Sequence, residues 1–251
     1  MLDGIYSFLY QLGEIGELAV GFFRYLLRRP FEGRLLVEQL DEVGFQSLTV
    51  VNLTALSTGM VLALQMGQFL VKFGAKIYIS QVMGLTLMRE MGPVLTALMI
   101  GARVGAGITA DLGSMKVTEQ IDAMRALGSS PVKKLVVPRV LATVLVMPFL
   151  TLFADAVGII GGMIIAVTQL GLSASYFYNS LIQNTALGDL MSGLGKSVFF
   201  GFMIAVIACS KGLNASGGAD GVGQATTSAV VAASISVLVS DFFLTKLFMA
   251  L

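Results

Sequence analysis

The sequence contains no histidine and only one cysteine. The first absence removes the commonest metal ligand and the commonest general base together, which argues against an enzyme acting by itself. The lone thiol, Cys209, sits inside an apolar run, so no internal disulfide can form. Charge is scarce as well: 12% of the residues are charged, where soluble domains carry about 25%. The net charge of +1 comes with no basic stripe to neutralise phosphates, which excludes nucleic acid as a partner. A basic leader is missing too, since Asp3, Glu14 and Glu17 occupy its place, so no cleavable signal is expected.

What is abundant is apolar surface. Hydrophobic residues make up 56% of the 251 positions, and the mean hydropathy is +0.86. This composition predicts an all-α integral membrane protein with no room for a separate soluble domain. From Ile5 to Leu27 the apolar positions follow a period near 3.6, with Glu14, Glu17, Arg24 and Arg28 on the other face. Residues 1–30 therefore read as an amphipathic helix lying in the membrane interface, ended by Pro30. The remainder, 31–251, reads as five spans at about 44–71, 91–110, 140–168, 190–210 and 227–251. Small residues recur every fourth position at Gly59, Ala63 and Gly67, at Gly101 and Gly105, and at Gly158 and Gly162, which allows helices to approach closely.

Between the second and third spans lies SMKVTEQIDAMRAL, Ser114 to Leu127. Val117, Ile121, Met124 and Leu127 fall on one face, with Lys116, Glu119, Gln120, Asp122 and Arg125 around the rest. Ser114 is expected to cap this helix, Gly128 to follow it and Pro131 to forbid its continuation. It is either an ordinary amphipathic helix resting on the bilayer or a handle for a soluble partner. Lysine and arginine are concentrated before the first span and in this loop, and missing from Gln169 to Asp189. The N-terminus and the loop helix are therefore expected in the cytoplasm and Leu251 on the periplasmic side, against the dissent of Lys72 and Lys76.

Charges inside spans cost at least ~2.5 kcal/mol each, so they pair or line cavities. Lys196 and Asp241 fall at depths of ~9 and ~15 Å from the outer ends of their spans at 1.5 Å per residue. They are expected to pair, either structurally or with a direct role. Arg89 and Glu90 point about 100° apart on a helix and cannot easily neutralise each other. They form either an interfacial rim or the polar mouth of an apolar cavity. Asp155, deep in the third span, has no obvious partner. The stretch GGADGVG, Gly217 to Gly223, lacks the Lys-Ser/Thr pair of a nucleotide loop and is expected to be a flexible connection. ATP, if used, must be bound by another subunit.

The run EMGPVLTALMIGARVGAGITADLGSMKVTEQIDAMRALGSSPVKKLVVPRVLA, Glu90 to Ala142, closely resembles the signature region of the MlaE/YrbE permease family. GADGVGQATTSAVV, Gly218 to Val231, resembles the segment before that family's last span. The likeness extends over essentially all of the chain after Pro30. Asp111 departs from it, the family more often having Glu, with the charge kept. The resemblance implies the non-enzymatic transmembrane subunit of an ATP-driven phospholipid transporter. Such a subunit moves lipid between the inner membrane and a hexameric periplasmic ring of MCE-domain subunits and maintains outer-membrane asymmetry. It implies a homodimer, a cytoplasmic ABC ATPase carrying a STAS-domain protein, and ATPase coupling through Lys116, Val117, Glu119, Gln120, Ile121, Asp122, Met124 and Arg125. It further implies a lipid cavity between paired permeases, to which Leu62, Phe69, Leu70, Arg89, Glu90 and Val94 correspond. Two competing expectations are an ion-gradient secondary transporter using Glu90, Asp155 or Asp241, and a membrane scaffold that only anchors other subunits.

Overall fold

The structure is a computed structural model and describes residues 2–26 and 33–250. Among these residues there is no strand. An N-terminal helix, α1 (Leu2–Leu26), precedes five helical stretches long and apolar enough to cross a membrane: Gly33–Lys72, Lys76–Val117, Val132–Thr168, Leu187–Leu213 and Gly218–Phe248. The chain is an all-α integral membrane protein. The expected ends of α1 at Leu27, Arg28, Arg29 and Pro30, and the expected C-terminus at Leu251, lie outside the described residues, as do the side chains of Ile5 and Phe8.

Helix α1 packs by one face against the spans. Phe22 is buried, with its ring 5.8 Å from that of Phe202, and Glu14 accepts a hydrogen bond from the Asn214 side chain at 2.9 Å. The first span is jointed. Helix α2 (Gly33–Val43) and helix α3 (Leu48–Lys72) meet at a short turn, Phe45–Ser47. The second is built from α4 (Ile79–Thr86), α5 (Gly92–Ile100) and α6 (Ala106–Val117), joined by two wide π turns at Leu87–Met91 and Gly101–Gly105. Its expected core at 91–110 is therefore too short at both ends. Polar Arg89, Glu90 and Arg103 made the flanking turns look like boundaries, whereas the helix carries them through.

Three further expectations are corrected. Ser114 to Leu127 is not one helix: Ser114 lies inside α6, and the chain breaks at Thr118–Glu119 before α7 (Gln120–Ala126). The loop helix does not continue through Pro131, as expected; Pro131 instead opens the next helix, where its missing N–H costs nothing. A third π turn (Val132–Val136) then leads into α8 (Val137–Thr168). The outer loop holds a helix, α9 (Ala174–Asn184), which Ser173 caps by accepting from Tyr176 N at 3.1 Å. Finally, the glycine-rich stretch is not a loose loop. After α10 (Leu187–Leu213) only residues 214–217 connect to α11 (Gly218–Ala250), so most of GGADGVG forms the first turns of the last span. Glycine lowers helix propensity by about 1 kcal/mol, and neighbour packing overrides it: Gly113 has Val222 of this segment alongside.

The densest seam joins α3 to α8. Gly59, Ala63 and Gly67 are all buried along it, and a Cβ at Gly59 would strike the Gly158 carbonyl. Gly161 and Gly162 continue the contact, facing Leu56 and Met83. Small residues here let backbones touch, which favours association where lipid offers no hydrophobic driving force. On the second span a Cβ at Gly105 would lie 3.4 Å from the Ile204 side chain of α10, an ordinary contact. Outward, the spans expose Leu53, Phe149, Ile160, Val231, Leu238 and Phe242, a surface suited to acyl chains rather than water.

Candidate functional site

The first π turn builds the site. A π turn carries one residue more than an α turn, so side chains at Leu87–Met91 leave the regular helical stripe. Pro93 tolerates the start of α5 because it needs no partner for a backbone N–H. The turn is pressed by α10, where Gly193 leaves room for the Met88 carbonyl, and by α8, where Asp155 lies against Gly92.

Arg89 and Glu90 consequently reach different partners. Arg89 Nε donates to Asp189 Oδ1 at 2.6 Å, and the guanidinium and carboxylate form an ion pair. Asp189 also caps α10, its Oδ2 accepting from Ala186 N at 2.8 Å. On the other side, Lys196 Nζ lies 2.6 Å from Glu90 Oε2 and 3.1 Å from Asp241 Oδ1. It also donates to the Arg89 carbonyl at 3.0 Å and to Thr245 Oγ1 at 2.6 Å, while Thr245 donates to Glu90 Oε2 at 3.1 Å. Lys196 is fully buried, a position an ammonium tolerates only when its protons and charge are matched. Three spans thus meet at one ionic cluster. Sequence reasoning paired Lys196 with Asp241 alone and missed Glu90 and Thr245 as its further partners, and Asp189 as the partner of Arg89. Asp189 was the discoverable one: it is the first acid after a charge-free loop and sits three residues into a span.

Arg103, on the second π turn, serves a separate task. It donates to Ser47 Oγ at 2.7 Å, Gln46 Oε1 at 3.1 Å and the Glu42 carbonyl at 3.3 Å, clamping the joint between α2 and α3. Asp155 is buried with neither carboxylate oxygen hydrogen-bonded. Of the residues that the family likeness assigns to a cavity, Val94 packs half-buried against the main core and Leu62 against a smaller cluster around Met83 and Phe177. Leu70 is half-buried near the end of α3, and Phe69 is 60% exposed with its ring 4.9 Å from Phe73. A wide groove of about 1240 Å³ lies elsewhere, between α1, α10 and α11, bordered by Met203, Ile207, Gln224, Ser228, Val239 and Phe243. None of Leu62, Phe69, Leu70, Arg89, Glu90 and Val94 lines it.

Beyond the spans, α7 is held to the end of α6. Ile121 is fully buried, Val117 and Met124 are half-buried, and Leu127 is 86% exposed, so the expected four-residue apolar face is broken by the turn. Glu119 makes that turn at φ 60°, a left-handed conformation uncommon outside glycine. Lys116 reaches over it to Asp122 at 2.8 Å, and Arg125 contacts the same carboxylate at 3.2 Å. The Lys116 hydrogen bond, with both cations adding attraction, holds Asp122 below the ordinary carboxylate range. Glu119, Gln120 and Arg125 remain exposed.

A five-span helical bundle with an ionic cluster inside it and a charged helix beyond it defines a polytopic membrane protein. The family description Permease MlaE matches residues 36–247. The chain is 36% identical over 247 residues to the intermembrane phospholipid transport system permease protein MlaE of Haemophilus influenzae, covering 97% of this chain and 94% of that one. It is 41% identical over 238 residues to a probable ABC transporter permease protein of Rickettsia bellii, covering 95% and 92%. It is also 36% identical over 223 residues to protein TRIGALACTOSYLDIACYLGLYCEROL 1, chloroplastic, of Arabidopsis thaliana, covering 89% and 64%. The chain belongs to the MlaE permease family.

Proposed function

We propose that this permease is the membrane subunit of an ATP-driven phospholipid transporter in a bacterial inner membrane, working as a homodimer. ATP is bound by a separate cytoplasmic ABC ATPase, which carries a STAS-domain protein, and lipid is exchanged with a periplasmic MCE-domain ring to maintain outer-membrane asymmetry. The N-terminus and α7 face the cytoplasm and the C-terminus the periplasm. The supporting observation is continuity: the helical stretch that carries Arg89 and Glu90 at the first π turn runs on to Val117 and ends against α7. Force applied by an ATPase to Lys116, Glu119, Gln120, Asp122 and Arg125 therefore reaches the ionic cluster along one helix. Leu62, Phe69, Leu70 and Val94 line the lipid cavity only when a second copy supplies the facing wall.

Cysteine labelling tests the arrangement, because the single native thiol, Cys209, is buried. Glu119→Cys is expected to react with an impermeant maleimide in inverted membranes and not in intact spheroplasts; the opposite pattern overturns the proposal. In proteoliposomes holding the ATPase and a fluorescent phospholipid, lipid transfer is expected to require ATP and both subunits. Transfer that follows an imposed proton gradient without ATP favours a secondary transporter instead.

A further inference from the structure

We infer that the ionic cluster selects the head group of its cargo, preferring a phospholipid with a primary ammonium beside its phosphate, such as phosphatidylethanolamine, over an anionic one. This rests on the reading that phospholipid is the cargo. The argument begins with charge. Arg89 is matched by Asp189, whereas Lys196 alone faces both Glu90 and Asp241, leaving one negative charge in excess. Lys246 does not offset it: it follows Thr245 by one residue, about 100° round the helix, on the exposed side of α11.

Donor counting then locates the excess. An ammonium has three protons, and those of Lys196 go to Glu90 Oε2, Thr245 Oγ1 and the Arg89 carbonyl. Asp241 Oδ1, 3.1 Å from Lys196 Nζ, gains attraction but no hydrogen bond. That oxygen is itself sealed against Lys196, so it is the rest of the Asp241 side chain, 22% exposed, that an incoming donor meets. Layering gives the direction of approach. The Lys196 side chain is 1% exposed, against 33% for Glu90 and 22% for Asp241, so the acids stand in front of the base. Arg89, at 45% exposed, stands one residue away with guanidinium protons beyond those given to Asp189. An incoming group therefore meets two partly exposed carboxylates before it meets the ammonium behind them. A zwitterionic head group brings an ammonium to Asp241 and Glu90, while a head group with only negative charge meets the excess of the same sign. A quaternary amine keeps the charge and loses the N–H donors that a carboxylate accepts.

The test reconstitutes the full chain in vesicles containing equal amounts of phosphatidylethanolamine, phosphatidylcholine and phosphatidylglycerol. The protein is then re-extracted, and retained lipid is identified by mass spectrometry. The native chain is expected to enrich phosphatidylethanolamine over phosphatidylglycerol about threefold, the size of a part-exposed ion pair, with phosphatidylcholine between them. Asp241→Asn is expected to bring the ratio to about one, and Glu90→Gln provides a second reading should the first variant fail to fold. No enrichment in the native chain, enrichment of phosphatidylglycerol, or a ratio unchanged in both variants overturns the inference. Displacement of retained lipid by free ethanolamine at millimolar concentration also overturns it, since the site would then take a small amine rather than a lipid. Total phosphorus retained per protomer reports separately on whether phospholipid is carried at all.

Discussion

Replacing Gly59 by alanine isolates what the α3–α8 seam contributes. A Cβ there would run into the Gly158 carbonyl oxygen, with the carbonyl carbon at 2.6 Å and Cα at 2.8 Å. Ordinary contacts of this kind lie near 3.5–4.0 Å, so the two helices must part by about 1 Å, and no flexible side chain can absorb the shift. Overpacking of this sort costs about 1–3 kcal/mol, while alanine returns about 1 kcal/mol of helix propensity over glycine. The control is Gly107→Ala on α6, where a Cβ would meet nothing within 4 Å and only the propensity gain remains. The difference between the two variants is therefore expected to be about 1–3 kcal/mol, Gly59→Ala being the less stable. Reversible unfolding in mixed detergent–SDS micelles, followed by far-ultraviolet circular dichroism, measures it. Equal midpoints for the two variants, or a more stable Gly59→Ala, refute the claim that backbone contact holds this seam.

Two further outcomes follow from the charges. Lys196→Met keeps the bulk of the side chain but leaves Glu90 and Asp241 facing each other without a cation, and is expected to cost about 3–5 kcal/mol in the same assay; Lys196→Met combined with Glu90→Gln is expected to recover part of that loss. Because the folded-state pKa of Asp122 is lowered, the Lys116–Asp122 contact is fully present above the ordinary carboxylate range and is lost only as the pH falls through that lowered value. Hydrogen exchange of α7 amides is therefore expected to show no added opening attributable to Asp122 between pH 8 and 5, and Asp122→Asn to open α7 across this whole window.

The sequence announces its spans because long apolar runs have no other use, and the glycine spacing at Gly59, Ala63 and Gly67 marks a helix seam without any coordinates. The second span was truncated in prediction for a physical reason. Arg89, Glu90 and Arg103 look like water-facing ends, and nothing in a hydropathy pattern says that other spans neutralise the first two and supply hydrogen-bond acceptors to the third. Lys196 and Asp241 fall at similar depths, which sequence arithmetic can estimate. Their third member, Glu90, depends on a π turn that rotates it out of register, and periodicity assumes no such turn. Glu119 shows the same limit at small scale: an amphipathic pattern runs smoothly through residues 114–127, but a left-handed residue folds it in two.

The wide turns at Leu87–Met91, Gly101–Gly105 and Val132–Val136 each hold one residue beyond what the regular helix needs. A surplus residue is a reserve of slack. Rewinding such a turn to the regular form, with no residue lost, twists everything downstream by roughly 100° about the axis, with no span dismantled and no backbone group stranded in lipid. A rod jointed this way can be turned by a single notch without being cut.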